Sequence, residues 1–521
     1  MTSGDIASMS DQTVIVIGAG VGGLSAALRL AAQGMRVVVL ERAARPGGKM
    51  RRVRVGEKEI DAGPTVFTMR WVFDRLFDAV GTSLDAHLTL RPAGVLARHA
   101  WQDGGRLDLF ADIERSADAV AAFAGPAEAR GYLQFCAESG AIFRMLKDTF
   151  LCKPAPILAG WSGISVLAGW ARCARCSRST QCGAGSRNTS ATPGLRQLFG
   201  RYATYCGSSP FQAPATLMLV AHVEQDGVWY VDGGMYAVAE TLTRLIEENG
   251  GEVRCNAPVS QILLKGARVE GVLLEDGERL AADAVVMNGD SAALSAGLLG
   301  DDVRRAVAAV SPRERSLSAM TWLLDARVGN FPLVRHSVFF SSAYRREFED
   351  IFERRRLPGE PTVYVCAQDR QDGEAPPPDG TERLFLIVNA PASGDAGQFR
   401  DEEIEACESQ TFSVLRRCGL ELERDPQRTV LVTPQDFHGL FPGTGGAIYG
   451  RASHGWRGPL QRPGCRTAIP GLYLAGGSVH PGPGVPMAAL SGLMAAESLV
   501  TDRASTRPSR RRVMSGGMLT R

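Results

Sequence analysis

An uncharged, β-branched run, Thr13 to Ile17, breaks into Gly18-Ala19-Gly20-Val21-Gly22-Gly23 and gives way to an alanine- and leucine-rich stretch ending near Gly34. A second apolar run, Val37 to Leu40, closes on Glu41. Short continuous apolar runs read as strands buried on both faces, so the pattern predicts strand, glycine turn, helix and strand. Further along, Trp71 to Val80 has an amphipathic helical period and Leu88 to Phe110 alternates like short strands. Ile113 to about Phe150 carries apolar residues three and four apart, with Phe123, Tyr132, Phe135, Ile142, Phe143 and Phe150 forming a stripe that reads as core or as channel wall. A helix from Tyr236 to Asn249 precedes the short strands VRC, VSQILL, RVEGVLL and DAVVMN. The runs Met320 to Leu324, Ser337 to Phe340, Val363 to Ala367, Leu384 to Asn389 and Thr429 to Thr433 alternate as in a mostly antiparallel sheet, interrupted by a helix near Glu402 to Arg417. Near the end, a strand from Gly471 to Ala475 breaks at Gly476-Gly477, and a proline- and glycine-rich loop leads into a small-residue helix to Val500.

The first glycine turn carries chemistry. Gly18 permits the tight turn, Gly20 lets the backbone approach a pyrophosphate, and Gly23 lets helix and strand pack closely. Phosphates would sit on the free N–H groups and positive dipole end of the helix that starts near Gly22. Glu41, about 20 residues beyond the glycines, would accept from ribose hydroxyls and repel a 2′-phosphate. An ADP-ribose of the NAD or FAD type follows.

The next stretch, Glu41-Arg42-Ala43-Ala44-Arg45-Pro46-Gly47-Gly48-Lys49, resembles the signature of the amine-oxidase and carotenoid-desaturase flavoproteins. The resemblance implies FAD, with Gly47, Gly48 and Lys49 meeting its phosphates and flavin, Arg42 counted among the binding residues, and the Gly63-Pro64 backbone passing close to the isoalloxazine. It further implies that Val259, after Asn-x-Pro, holds the adenine through its backbone. In the closing motif, Gly476, Gly477, Pro486 and Met487 would border the flavin pyrimidine edge. The implied fold is α/β: a Rossmann-type FAD-binding domain of the amine-oxidase/phytoene-desaturase superfamily, assembled from three chain segments, with a mixed antiparallel-sheet and helical substrate domain. The expected division is a leader at 1–11, FAD-domain pieces at 12–85, 226–292 and 436–500, a helical cap at 86–225, a substrate-domain sheet at 293–435 and a basic tail at 501–521.

From Thr13 to Val500 the chain is similar to the phytoene-desaturase-like carotenoid dehydrogenases. SLSAMTWLLDAR, PTVYVCAQDR, LFLIVNAPASGD, FPGTGGAIYGR and HPGPGVPMAALSG look most like the group of 1-hydroxycarotenoid 3,4-desaturases, also called methoxyneurosporene dehydrogenases. The resemblance implies a carotenoid delivered from lipid, a peripheral membrane surface, non-covalent FAD, and a quinone or oxygen as electron acceptor. Phytoene desaturation or cis–trans isomerisation would use a similar chain; amine oxidases and prenyl-lipid escort proteins share the fold class. Hydride removal beside a long polyene leaves a delocalised cation, so the protein need supply little beyond positioning and flavin electronics. In keeping with this, no acid–base pair is evident: Asp283 and Asp290 read as strand-end caps. Asn389, Thr444 and His480 are the candidates for holding a polar group of the substrate, with His480 also readable as a loop-fixing residue.

Composition is that of a globular protein, at 45 % hydrophobic and 22 % charged residues, and the net charge of +2 lacks the basic excess of a nucleic-acid binder. Eleven cysteines without regular pairing fit a reducing, cytoplasmic setting with free thiols. Cys173-x-x-Cys176 has no complete ligand set around it, so no metal is expected. Residues 171–194 break the periodicity of their surroundings, as a native loop or a disturbed reading frame would. Pro154 to Ala171 is free of charge but interrupted by Pro, Gly and Ser, and Trp161 and Trp170 give it the features of a buried segment or of a surface dipping into a membrane. Localisation is expected to be cytoplasmic, at the inner or intracytoplasmic membrane. The tail carries six arginines against one aspartate and is expected to lack order.

Overall fold

Val14, Val16, Val37, Val39, Ala284 and Val286 are almost fully buried because the strands that carry them lie inside a parallel sheet covered on both faces. The computed structural model describes residues 12–156, 192–370, 380–397 and 399–505. Its five-stranded sheet has the order Glu252–Arg254, Arg36–Leu40, Thr13–Ile17, Ala284–Met287 and Leu472–Leu474, and all four pairings are parallel. Strands far apart in the chain are therefore neighbours. The first helix, Val21–Ala31, packs against the closing helix, Val485–Ser505, and against Tyr236–Glu248. The small residues of both terminal helices, including Ala26, Ala27, Ala489 and Ala496, have no exposed surface, which lets their backbones approach.

A second body is built on an eight-stranded sheet whose path runs Glu421–Glu423, Ser318–Gly329, Glu382–Ala390, Val363–Ala367, His336–Phe339, Val95–Ala100 and Arg106–Phe110, with Thr429–Val432 also on Ser318–Gly329. It is antiparallel except where His336–Phe339 meets Val95–Ala100. The pair Val95–Ala100 and Arg106–Phe110 thus belongs to this sheet, although its position in the chain suggests the helical cap. Long-range pairing decides this, and alternation within a strand does not record its partner. The cap consists of Ile113–Ala124, Pro126–Leu146, Pro193–Arg201 and Leu219–Gln225.

The structure decides between the two readings of the aromatic stripe and corrects the end of the closing helix. Most of the aromatic stripe is core: Phe135 stacks on Phe199 at 4.6 Å, Phe123 on Trp101 at 4.9 Å, and Tyr132 is buried beside them, whereas Phe150 reaches the main cavity. The closing helix also does not stop at Val500 but runs to Ser505, where Asp502 pairs with Arg466 at 2.9 Å. Nearly all of the uncharged segment after Pro154, the Ala171 to Gly194 stretch and the arginine-rich end of the tail lie outside the described residues. No described helix is long and apolar enough to cross a membrane.

Candidate flavin and substrate site

At the carboxyl ends of the parallel strands, where ligands of open α/β sheets bind, the chain leaves a cavity of about 840 Å³ that continues under the cap. Gly18 turns the chain at φ +96°, a left-handed conformation that a side chain would strain. Gly20 is the N-cap of the first helix and makes no side-chain cap bond; no acid stands in the first turn, and the first amide bonded back is that of Leu24, to the Gly20 carbonyl at 2.9 Å. The amides of the first turn before it are therefore left free to receive an anion. Gly22 lines the same wall, and Gly23 does not: a Cβ on Gly23 would stand 2.3 Å from the Gly18 carbonyl oxygen, so this residue sets helix–strand packing.

Glu41 is 7 % exposed, on the cavity wall, with Oε2 accepting from the Ala19 amide at 2.7 Å and Oε1 from the Ala43 amide at 2.8 Å. A carboxylate has about four lone-pair sites, so this one, held by two amides, keeps capacity for hydroxyls. Arg42, Pro258 and Val259 line the same end. Gly47 and Gly48 press the second loop onto the first: Gly47 bridges Gly20, and a Cβ on Gly48 would lie 3.1 Å from the Gly20 Cα. Lys49 lies beside them, its Nζ donating to the Ile448 carbonyl at 2.7 Å and lying 5.2 Å from the centre of the Phe441 ring, and burial lowers its pKa. Gly63 and Pro64 pass so close to this loop that a Cβ on Gly63 would be 1.8 Å from the Lys49 carbonyl oxygen.

The closing motif forms the opposite wall. Gly476 turns at φ +114° and its amide donates to the Ser491 Oγ at 2.7 Å. Gly477, Pro486 and Met487 line the cavity, and the N-terminus of the closing helix opens into it. Asn288, which the sequence reading passed over, joins the two halves. Its Nδ2 donates to the Gly18 carbonyl at 3.2 Å, and Cβ atoms on Gly20 and Gly22 would lie 2.8 and 2.7 Å from its side chain. The available signal was a polar residue directly after the apolar strand Ala284–Met287, at the ligand-binding end of a parallel sheet.

Of the three candidates for a polar substrate group, only Asn389 is on the cavity wall. Thr444 is turned inward to its own loop, donating to the Phe441 carbonyl at 2.9 Å and accepting from the Gly446 amide at 3.0 Å. His480 is fully buried; its Nε2 meets the Phe150 carbonyl at 2.9 Å and burial lowers its pKa to about 4, so it fixes the loop as a neutral imidazole. Asp290 caps the helix Ser291–Ser295 through the Ala292 amide, and Asp283 accepts from the Thr13 amide at 2.9 Å. Proximity in the linear motif map misplaced Thr444 and His480 because a loop's direction of turn is not written in its spacing.

Asn389 donates to Glu347 at 3.2 Å, whose other oxygen accepts from the Thr362 amide at 3.1 Å. Burial raises the Glu347 pKa from 4.5 to about 7. For a carboxyl whose folded pKa is raised, the stability it contributes is fully present below the unfolded value and is lost as pH rises through the folded one. Urea unfolding of Glu347→Gln should therefore lose part of the wild-type decline between pH 5 and pH 8, with a difference on the order of 1 to 3 kcal/mol at pH 8. Parallel pH profiles of the two proteins would contradict the assignment.

A glycine cradle that any Cβ would fill, two helix N-termini aimed into one cavity and an acid at the second strand tip together fit an FAD, and they define a flavoprotein oxidoreductase with a dinucleotide-binding domain. The chain belongs to the flavin containing amine oxidoreductases, which match residues 21–500, within their carotenoid-desaturase branch. It is 52 % identical to the hydroxyneurosporene desaturase of Rubrivivax gelatinosus, over 98 % of this chain and 97 % of that one. Identity is 45 % to the hydroxyneurosporene desaturase of Cereibacter sphaeroides, over 94 % and 98 % of the two chains, and 30 % to the 1-hydroxycarotenoid 3,4-desaturase of a Flavobacterium, over 93 % and 98 %. Among solved structures, an oxidoreductase from Methanosarcina mazei shares the fold at TM-score 0.57 and 17 % identity, covering 93 % of this chain and all of that one. Putrescine oxidase bound to putrescine does so at TM-score 0.57 and 16 % identity, covering 94 % and 99 %. The protein is an FAD-dependent oxidoreductase.

Proposed function

We propose that the chain desaturates an acyclic carotenoid bearing a hydroxyl or methoxyl at C1, introducing the C3–C4 double bond. The observation that carries this reading is the continuity of the nucleotide cradle with an apolar cavity under the cap, walled by Leu146, Leu219, Val220 and Val223. The names of the relatives, hydroxyneurosporene desaturase and 1-hydroxycarotenoid 3,4-desaturase, support the same substrate class. Bound FAD supplies a two-electron acceptor: the C4 hydrogen leaves as hydride, C3 loses a proton, and the electron pair of that C–H bond becomes the new π bond. The protein's part is to hold the polyene in register, keep water out and leave the developing positive charge to conjugation. The FAD is held without a covalent link, a reading supported by the burial of His480 against Phe150, which turns its imidazole away from any attachment. Electrons pass on to a quinone or oxygen, and substrate arrives from a membrane surface on which the protein rests.

The test is incubation of the FAD-loaded protein with vesicles carrying, in turn, a 1-hydroxylated acyclic carotenoid, phytoene and a cis-lycopene, with chromophore length followed by absorption. A red-shifted product from the hydroxylated carotenoid alone is expected. Stepwise lengthening of phytoene would replace this reading with early desaturation, and cis-to-trans change without loss of two electrons would replace it with isomerisation.

A further inference from the structure

Where the cavity passes under the cap, a guanidinium stands on its wall among phenol rings. Arg201 ends the helix Pro193–Arg201 and lies on the cavity wall. Its Nη1 donates to the Tyr205 hydroxyl at 3.1 Å, and it lies 5.4 Å from the centre of the Tyr364 ring. The Tyr205 hydroxyl donates to Oε1 of Glu224 at 3.1 Å, while the Tyr202 hydroxyl holds Oε2 of the same carboxylate at 2.8 Å. Among the described residues no carboxylate is within ion-pair distance of Arg201. Arg201 is half-buried on that wall, and a guanidinium has five N–H donors and no acceptor, so a chain that fills the cavity and displaces its water leaves the remaining donors without partners unless it brings an oxygen. The arrangement therefore asks for a hydrogen-bond acceptor inside an otherwise greasy space.

The acceptor's place is constrained as well. The hydroxyl of Tyr364, whose ring lies beneath the guanidinium, is 2.7 Å from Thr65 Oγ1, and Thr65 directly follows the Gly63-Pro64 passage on the cavity wall. An oxygen bound by Arg201 thus lies close to the loop that borders the flavin end, as an oxygen only a few bonds from the reacting carbons must. Glu224, the neighbouring carboxylate, has each of its oxygens held by a phenol, and Asn389 is committed to Glu347 on the donor side.

We propose that Arg201 recognises the oxygen at C1 of the substrate, and that the Tyr205, Glu224 and Tyr202 chain holds the guanidinium in position to do so. The proposal rests on the functional reading above and sharpens it. A donor-only group bonds an alcohol and an ether oxygen alike, so hydroxyl and methoxyl substrates are both accepted. A chain with no oxygen there leaves the guanidinium bare and is rejected. A carboxylate reader would do the opposite with the ether.

The experiment is equilibrium binding, under anaerobic conditions, to protein whose bound FAD has been chemically reduced beforehand and so cannot accept a hydride, using 1-hydroxylated, 1-methoxylated and C1-unsubstituted carotenoids of equal conjugation, read by the shift of the polyene absorption. The wild type should bind both oxygenated chains about 100-fold tighter than the hydrocarbon. R201M should bring all three within a few-fold, weakening the oxygenated chains and tightening the hydrocarbon, which no longer leaves a guanidinium bare, and R201K, which keeps the charge without the fork, should give an intermediate ratio. Y205F, which removes the hydroxyl between Arg201 and Glu224, provides a second route should R201M not fold, and should weaken the preference in part. An unchanged ratio in R201M or R201K, or a wild type that treats the methoxyl chain as a hydrocarbon, overturns the proposal. Turnover measured on the same proteins with their FAD oxidised separates the two readings: a wild type with the expected preference but no desaturated product removes the reaction and leaves Arg201 as the reader of the oxygen.

Discussion

Gly20→Val yields folded protein that purifies without yellow colour. A Cβ at this position would stand 2.8 Å from the Nδ2 of Asn288, the end of a movable side chain, so the neighbour can give way and the fold persists. The added isopropyl group then occupies the space at the N-terminus of the first helix where a pyrophosphate must approach the amides. Losing several charge-assisted bonds to those amides should weaken FAD binding by at least about 100-fold. The measurement is flavin absorbance per polypeptide after purification, followed by titration of the apoprotein with FAD, with circular dichroism confirming the fold. Gly34→Ala is the control. That residue also has a left-handed φ, of +80°, but nothing lies within 4 Å of its Cβ position, so only a backbone cost of about 1 kcal/mol is expected and FAD retention is kept. A yellow Gly20→Val protein with wild-type affinity would refute the assignment of the cradle.

Gly492→Val separates the two halves of the site. Here a Cβ would meet the Gly22 carbonyl oxygen at 2.0 Å, the Gly22 carbonyl carbon at 2.9 Å and the Ala26 amide nitrogen at 3.1 Å, all backbone atoms of the first helix that cannot rotate away. Relief requires the closing helix to move off the first helix. Both helices present their N-termini to the cavity, so the shift spoils phosphate and flavin contacts together. Overpacking of this kind costs about 3 kcal/mol or more, and loss of FAD adds to it by mass action. Urea unfolding monitored by tryptophan fluorescence and by flavin release should show a lower midpoint by both signals, with flavin leaving first. A variant with an unchanged midpoint and full flavin content would show that the helices tolerate separation and that the cradle does not depend on their contact.

The nucleotide half of the site was legible in the chain because its chemistry is carried by backbone, and backbone geometry writes itself into sequence as glycine. Gly18, Gly20 and Gly23 announce a turn, an approach and a contact, and Glu41 follows at a spacing set by one helix and one strand. Local periodicity likewise gave most elements of the large sheet within a few residues: Val363–Ala367 is observed as expected, and the expected Met320 to Leu324 lies inside the longer Ser318–Gly329. Tertiary structure alone decided which distant residues share a wall. Asn288 reaches Gly18 across 270 positions, Gly492 rests on Gly22, and Arg201 meets Tyr364 from another body of the fold. It also decided that Val95–Ala100 joins the large sheet, and that Thr444 and His480 turn away from the cavity while Asn389 faces it. The physical reason is common to these cases. Glycine turns and strand periods are fixed by interactions between near neighbours in the chain, whereas the direction of a side chain in a loop and the partner of a strand are fixed by packing among elements that sequence order does not bring together.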